Sequence, residues 1–172
     1  LDKNYMDEKV LFKSYLTLFA EAEFPLTLTY EIEKPESFSD DPLPGALAEL
    51  FIAEDDEDGD EYVEYVPVVQ FRINKSYLAC IVWKATLGSY EFLLIVYDIE
   101  GNIQETDSVA GSYYGAKPML FKIAEFTSPV QANVVEANFE TLEKATQPTS
   151  ARKYIINISD AGEINYSLVG NM

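Results

Sequence analysis

The sequence predicts a mainly β domain. The expected form is an antiparallel meander curled into an open barrel or a sandwich, carrying one N-terminal helix and a second short one; an α+β arrangement is the alternative. Three observations lead there. From Tyr62 onward apolar residues recur with a period of two, as one face of a strand requires. The joints between these runs are short and rich in turn formers, so that successive strands are antiparallel neighbours. Twelve Tyr and ten Phe stand against eight Gly and eight Pro, a balance suited to a pleated, half-buried surface. A chain of 172 residues fits one domain, 1–172, in which a helix-containing part (6–53) packs on a sheet (62–170).

The elements follow in order. Met6 to Glu23 reads as a helix, with Val10, Leu11, Tyr15, Leu18, Phe19 and Ala22 at three- and four-residue spacing and Asp7 and Glu8 near its positive end. Pro25 stops it, and Leu26 to Ile32 alternates as a strand. Leu43 to Ala53 is the second helix, opened by Asp41-Pro42. In the sheet, Val69, Phe71 and Ile73 share a face; Tyr77, Ala79, Ile81 and Trp83 share another, with Leu78, Cys80 and Val82 opposite. Phe92 to Tyr97 is apolar at every position, which marks a central strand covered on both sides. Further strands are expected at Ile103–Ala110, Met119–Phe126, Val130–Leu142, Lys153–Ile158 and Ile164–Val169, and Gly111 to Pro118 reads as a turn. The hairpins Tyr97-Asp-Ile-Glu-Gly-Asn-Ile103 and Ile158-Ser-Asp-Ala-Gly-Glu-Ile164 resemble each other because both use Gly for positive φ. Nothing else recurs at their interval, so no repeat architecture follows.

Absences narrow the chemistry. The chain has no His, the usual proton shuttle near neutral pH and the commonest transition-metal ligand. Its single Cys80 permits no internal disulfide, and its apolar strand predicts a buried, unreactive thiol. A serine triad lacks its base, and no run reaches the roughly 20 apolar residues of a membrane helix. Thirty acids against twelve bases give −18, a field that repels phosphate backbones and argues against nucleic acid as a partner. Residues 31–64 hold fourteen acids and one base, so −13 of that charge lies in one stretch. Such a patch steers basic partners, or simply keeps a loop solvated.

Within it, Glu54-Asp-Asp-Glu-Asp-Gly-Asp60 superficially resembles a calcium loop. Tyr65 stands where the bidentate Glu belongs, which excludes an EF-hand and leaves only a looser Ca²⁺ site as the one cofactor to consider. Asp55, Asp56, Glu57, Asp58 and Asp60 are the candidate partner-binding residues. Carboxylate-only glycan hydrolysis would need two acids at suitable spacing, from Glu64, Glu91, Glu125 and Glu136. Trp83, Tyr77, Tyr90, Tyr113 and Tyr114 are candidates for an aromatic face that takes a sugar or peptide.

Phe24-Pro25-Leu26-Thr27, Leu47 with Phe51-Ile52, Val66-Pro67-Val68, and Tyr90-Glu-Phe-Leu-Leu-Ile-Val-Tyr-Asp98 with Gly101-Asn102-Ile103 occur in that order over residues 24–110. In this the chain resembles a group of uncharacterised β-rich bacterial proteins, some exported as lipoproteins. The resemblance implies no activity. Leu1 in place of an initiator Met fits a removed leader or a trimmed tag, and the expectation drawn is an extracytoplasmic location. The functional expectation is a non-catalytic acidic binding or interaction domain of a bacterial protein, taking a protein or small ligand of basic character. The alternatives are a carboxylate-dependent glycan hydrolase and an immunity-type inhibitor of a basic toxin.

Overall fold

A computed structural model describes residues 3–29, 41–52, 62–114, 119–140 and 148–171, with side chains from Glu8 to Gly170. The first helix, α1, is Lys3–Leu16; two short strands follow, β1 (Ala20–Glu21) and β2 (Leu26–Leu28), then α2 (Gly45–Phe51). Eight longer strands complete the chain: β3 (Glu64–Arg72), β4 (Tyr77–Ala85), β5 (Ser89–Asp98), β6 (Ile103–Tyr113), β7 (Met119–Ser128), β8 (Gln131–Phe139), β9 (Ser150–Ile158) and β10 (Ile164–Asn171). They form one open sheet in the order β1-β3-β4-β5-β6-β7-β8-β9-β10, with β2 paired to β7. The mainly β, two-helix architecture is the expected one. It is mixed rather than wholly antiparallel, because β1 runs parallel to β3 at Ala20↔Val69 and Glu21↔Gln70.

The sheet doubles back between β6 and β7. Only Gly111↔Lys122, Ser112↔Phe121 and Tyr113↔Leu120 join them, and β2 takes the rest of that β7 edge at Leu26↔Phe126 through Leu28↔Ala124. One core forms between the two halves: Ile81, Trp83, Leu94 and Val96 from β4 and β5 meet Phe126, Val134 and Ile156 from β7, β8 and β9. The opposite face of β4 and β5, with Leu78, Cys80, Val82, Leu93, Ile95 and Tyr97, is covered by Phe12, Tyr15 and Phe19 beside Phe51 of α2 and Ile52 just after it. The central strands are thus buried on both sides, as their unbroken apolar runs require. Pro67 carries no N–H, and the register of β3 against β4 shifts between Pro67 and Val69, a bulge that absorbs the missing donor.

Several boundaries differ from the sequence reading. The first helix ends at Leu16, seven residues early. Gln70 Nε2 donates to the carbonyls of Leu16 (2.7 Å) and Phe19 (3.1 Å), which satisfies the helix end and frees Ala20–Glu21 to pair as a strand. Because the helix begins at Lys3, Asp7 and Glu8 lie beyond its first turn. The buried stripe is Phe12, Tyr15 and Phe19, whereas Val10, Leu11 and Leu18 are exposed. Two stripes of helical spacing competed here, and the one with larger rings buries more area. The second helix starts after Pro44, with Leu43 buried before it and its N–H bonded to Tyr65 O at 2.7 Å. Gly111 is a strand residue, not the start of a turn: its φ is +139°, and a Cβ there would lie 2.2 Å from the Tyr90 carbonyl oxygen. The strand expected over 26–32 is described only to Leu28.

The two similar hairpins do share one geometry. Asp98 N–H bonds Asn102 O and Ser159 N–H bonds Glu163 O, both at 2.9 Å, with Gly101 and Gly162 at φ of +97° and +77°. Gly101 also lies under the Phe12 ring, where a Cβ would come within 2.7 Å, so its missing side chain lets α1 seat on the sheet.

A buried relay ties both helices to the sheet. Tyr97 Oη donates to Phe51 O at 2.6 Å, which leaves Tyr15 as the donor to Tyr97 Oη at 2.9 Å. Burial pushes both phenols well above their ordinary pKa. We expect Tyr97→Phe to leave the Phe51 carbonyl and the Tyr15 hydroxyl unpaired, lowering unfolding free energy by about 2–4 kcal/mol in urea titrations. Tyr15→Phe removes one bond and orphans nothing, so its loss should be the smaller. The unfolded chain ionises tyrosine above about pH 10 while the folded chain holds it neutral, so stability should be fully present below pH 10 and fall as pH rises beyond it. Tyr97→Phe should weaken that alkaline fall.

Candidate functional site

The register of the central strands places a row of rings on the inner face. Trp83 pairs with Phe92, Tyr90 with Ala85 and with Ser112, and Ser112 with Phe121, so Trp83, Tyr90, Ser112 and Phe121 point the same way. Trp83 stacks on Tyr90 at 5.6 Å and 19°; Tyr90 meets Tyr114 edge-on at 6.4 Å. Tyr114 meets Phe121 at 5.9 Å, and Phe121 meets Phe139 at 5.1 Å. Five rings thereby cross the sheet from β4 to β8.

Of the five aromatics singled out in the sequence, Trp83, Tyr90 and Tyr114 come together. Tyr77 sits at the far end of β4 over Gly162. Tyr113, one residue from Tyr114, points to the other face, where its hydroxyl bonds Ser108 and Lys122 Nζ lies 5.3 Å from its ring. Phe121 and Phe139 escaped the sequence reading. Their phase was set by the Met119↔Phe139 register, which neither strand's own alternation reveals.

Two buried polar atoms on this face have no hydrogen-bond partner among the described residues: Trp83 Nε1 and Ser112 Oγ, in residues 4% and 0% exposed. They flank Tyr90. At the Trp83 end the row opens into a cleft of about 480 Å³ lined by Tyr62, Glu64, Trp83, Leu87 and Tyr90. A second cleft, about 690 Å³, is lined by Leu43, Ala48, Glu49, Glu64 and Tyr65. Val63 and Glu64 belong to both, so the start of β3 is the ridge between them. Tyr62 and Leu87 stand 69% and 80% exposed at the rim of the first cleft with the exposed Glu64, and the exposed Glu49 lines the second.

Asp55, Asp56, Glu57, Asp58 and Asp60, with the calcium-like stretch around them, lie outside the described residues; the described chain resumes on the cleft rim at Tyr62. Among the described residues no group of three carboxylate or thiol side chains is placed to hold a metal. No helix among them is long and apolar enough to cross a membrane. Cys80 is fully buried, and burial pushes its thiol pKa up.

The four strand acids take different positions. Glu64 is on the cleft ridge, and Glu125 is exposed on β7. Glu91 and Glu136 fall on one register row, Lys84↔Glu91↔Gly111↔Lys122↔Glu136↔Arg152, in which opposite charges face each other across the sheet. Lys122 stands on the strand next to Glu136. Glu136 accepts a hydrogen bond from the Tyr154 hydroxyl, Asp107 accepts one from Tyr166, and Glu105 accepts the Ile164 N–H at 2.6 Å. Burial, then these bonds to carboxylates, raise the Tyr154 and Tyr166 pKa. In these contacts carboxylates brace β6 and β8 against β9 and β10.

Comparison with known protein families, with characterised proteins and with solved structures finds no match for this chain.

Trp83 is the only tryptophan, so its emission reports the cleft directly. We expect a blue-shifted spectrum and slow acrylamide quenching, with Tyr90→Ala moving the maximum to the red and speeding quenching several-fold while the circular dichroism stays that of a β protein.

Proposed function

We propose that this chain is a non-catalytic binding domain that takes up a basic, partly apolar segment of a partner protein along the ridge at Val63 and Glu64. The observation that carries this reading is the pair of clefts sharing that ridge, each combining aromatic or apolar walls with a carboxylate. A Lys or Arg side chain suits such a rim. Its methylene stem covers apolar surface, its charge is attracted by Glu49 and Glu64, and Tyr62 offers a ring face to a cation. The chain already makes this contact once, with Lys84 Nζ 5.9 Å from the centre of the Tyr65 ring. The −13 carried by residues 31–64 adds long-range attraction for a basic partner and repels phosphate-bearing ones.

A capped peptide of alternating Lys and Leu is a suitable probe, titrated against Trp83 fluorescence. We expect saturable binding whose Kd rises steeply with salt. The double variant Glu49→Gln, Glu64→Gln should raise Kd about five- to thirtyfold, as two rim charges of about 0.5–1 kcal/mol each predict. A peptide with Glu in place of Lys should leave the fluorescence unchanged. Affinity that is indifferent to salt and to both carboxylates would overturn the reading.

A further inference from the structure

We propose that β10 is a self-association edge, through which two copies of this chain pair antiparallel about a two-fold axis. β10 ends the sheet, and β9 is its only paired neighbour among the described residues. Ile158 gives its N–H to Val130 O, away from β10, so Ile158↔Ile164 is a pair whose polar groups point outward from the β9–β10 ladder. Ile164 N–H is taken by Glu105. By the same alternation Tyr166 and Leu168 present N–H and C=O away from β9, toward the open edge.

Natural sheets guard such edges with charge or proline. From Ile164 to Asn171 there is neither. Tyr166, Leu168 and Val169 are instead 46%, 63% and 54% exposed. The bulge between Leu168 and Gly170 makes Val169 the extra residue, so that two adjacent apolar side chains both stay in solvent.

Charge selects the occupant and its direction. The chain as a whole carries −18, whereas residues 148–171 hold two acids and two bases; Glu105 and Asp107 of β6, bonded to the Ile164 N–H and the Tyr166 hydroxyl, add to the acidic end of β10. Asp160 and Glu163 lie just before β10, while Arg152 and Lys153 pair with Asn171 and Gly170 at its end. Antiparallel pairing of two β10 strands brings the acidic end of one copy to the basic end of the other, twice. Parallel pairing would set like charges together. An isologous contact of this kind closes at two copies.

Sedimentation velocity over about a hundredfold range of protein concentration tests the proposal, since a dimer populates by mass action. We expect a monomer–dimer equilibrium, with the Tyr166 and Leu168 amides slowing in hydrogen exchange as concentration rises. Val169→Lys should raise the dimer Kd at least about tenfold, whereas Ile99→Lys, an equally exposed apolar site on a hairpin, should leave it unchanged. Arg152→Glu with Lys153→Glu should weaken the dimer, and adding Asp160→Lys with Glu163→Lys should restore it. A monomer at every concentration, or a dimer indifferent to Val169→Lys and to the charge swaps, would overturn the proposal.

Discussion

Everything in this fold rests on the registered pairing of β4 with β5, two strands that are apolar on both faces. A strand with alternating polarity can leave one side in water; these cannot. Burying Trp83, Leu94 and Val96 requires a second layer of sheet, and burying Cys80, Leu93 and Tyr97 on the reverse side requires the helices. The doubling back of the sheet after β6 and the seating of α1 and α2 are the two answers to that one demand. Where the answers meet the backbone, the chain gives up side chains: Gly111 lets β6 pass against Tyr90, and Gly101 admits Phe12.

That demand was legible in the amino acids, which is why the order of strands could be read so nearly to the end. Phe92 to Tyr97 announces a doubly covered strand on its own, and the short Gly-containing joints leave antiparallel pairing as the simplest connection. The failures share a different cause. The helix boundary at Leu16 is set by Gln70, fifty-four residues away, whose amide takes the terminal carbonyls. The choice between two stripes on α1 is decided by the rings of Phe51 and Tyr97 that Phe12 meets at 5.3 and 5.2 Å. Local periodicity holds no record of such distant partners.

The candidate site shows the same division. Trp83, Tyr90 and Tyr114 could be named from composition, but their assembly could not, because a one-residue difference in phase sends Tyr113 to the opposite face. Phe121 and Phe139 join the row only through the pairing of β7 with β8. The acids followed another logic. One strand position that looked like a possible catalytic carboxylate, Glu136, is bonded to Tyr154, and the unremarked Asp107 and Glu105 hold Tyr166 and Ile164. Acids on strands face cross-strand neighbours before they face substrates.

Charge and edge protection then become a single question. A sheet that stays open has to keep its end strands from pairing at random, and most of this surface is kept apart by its negative field. β10 itself carries no charge from Ile164 to Asn171, and its exposed apolar residues are Tyr166, Leu168 and Val169. Glu49 and Glu64, described carboxylates of the acid-rich stretch, line the clefts at the start of β3, far along the sheet order from β10. On the proposed reading, the ridge carries Glu49 and Glu64, whereas acids and bases stand at opposite ends of β10. On the two proposals made above, the ridge at the start of β3 and the self-association edge at β10 lie far apart in the sheet order, so the two contacts would use different strands.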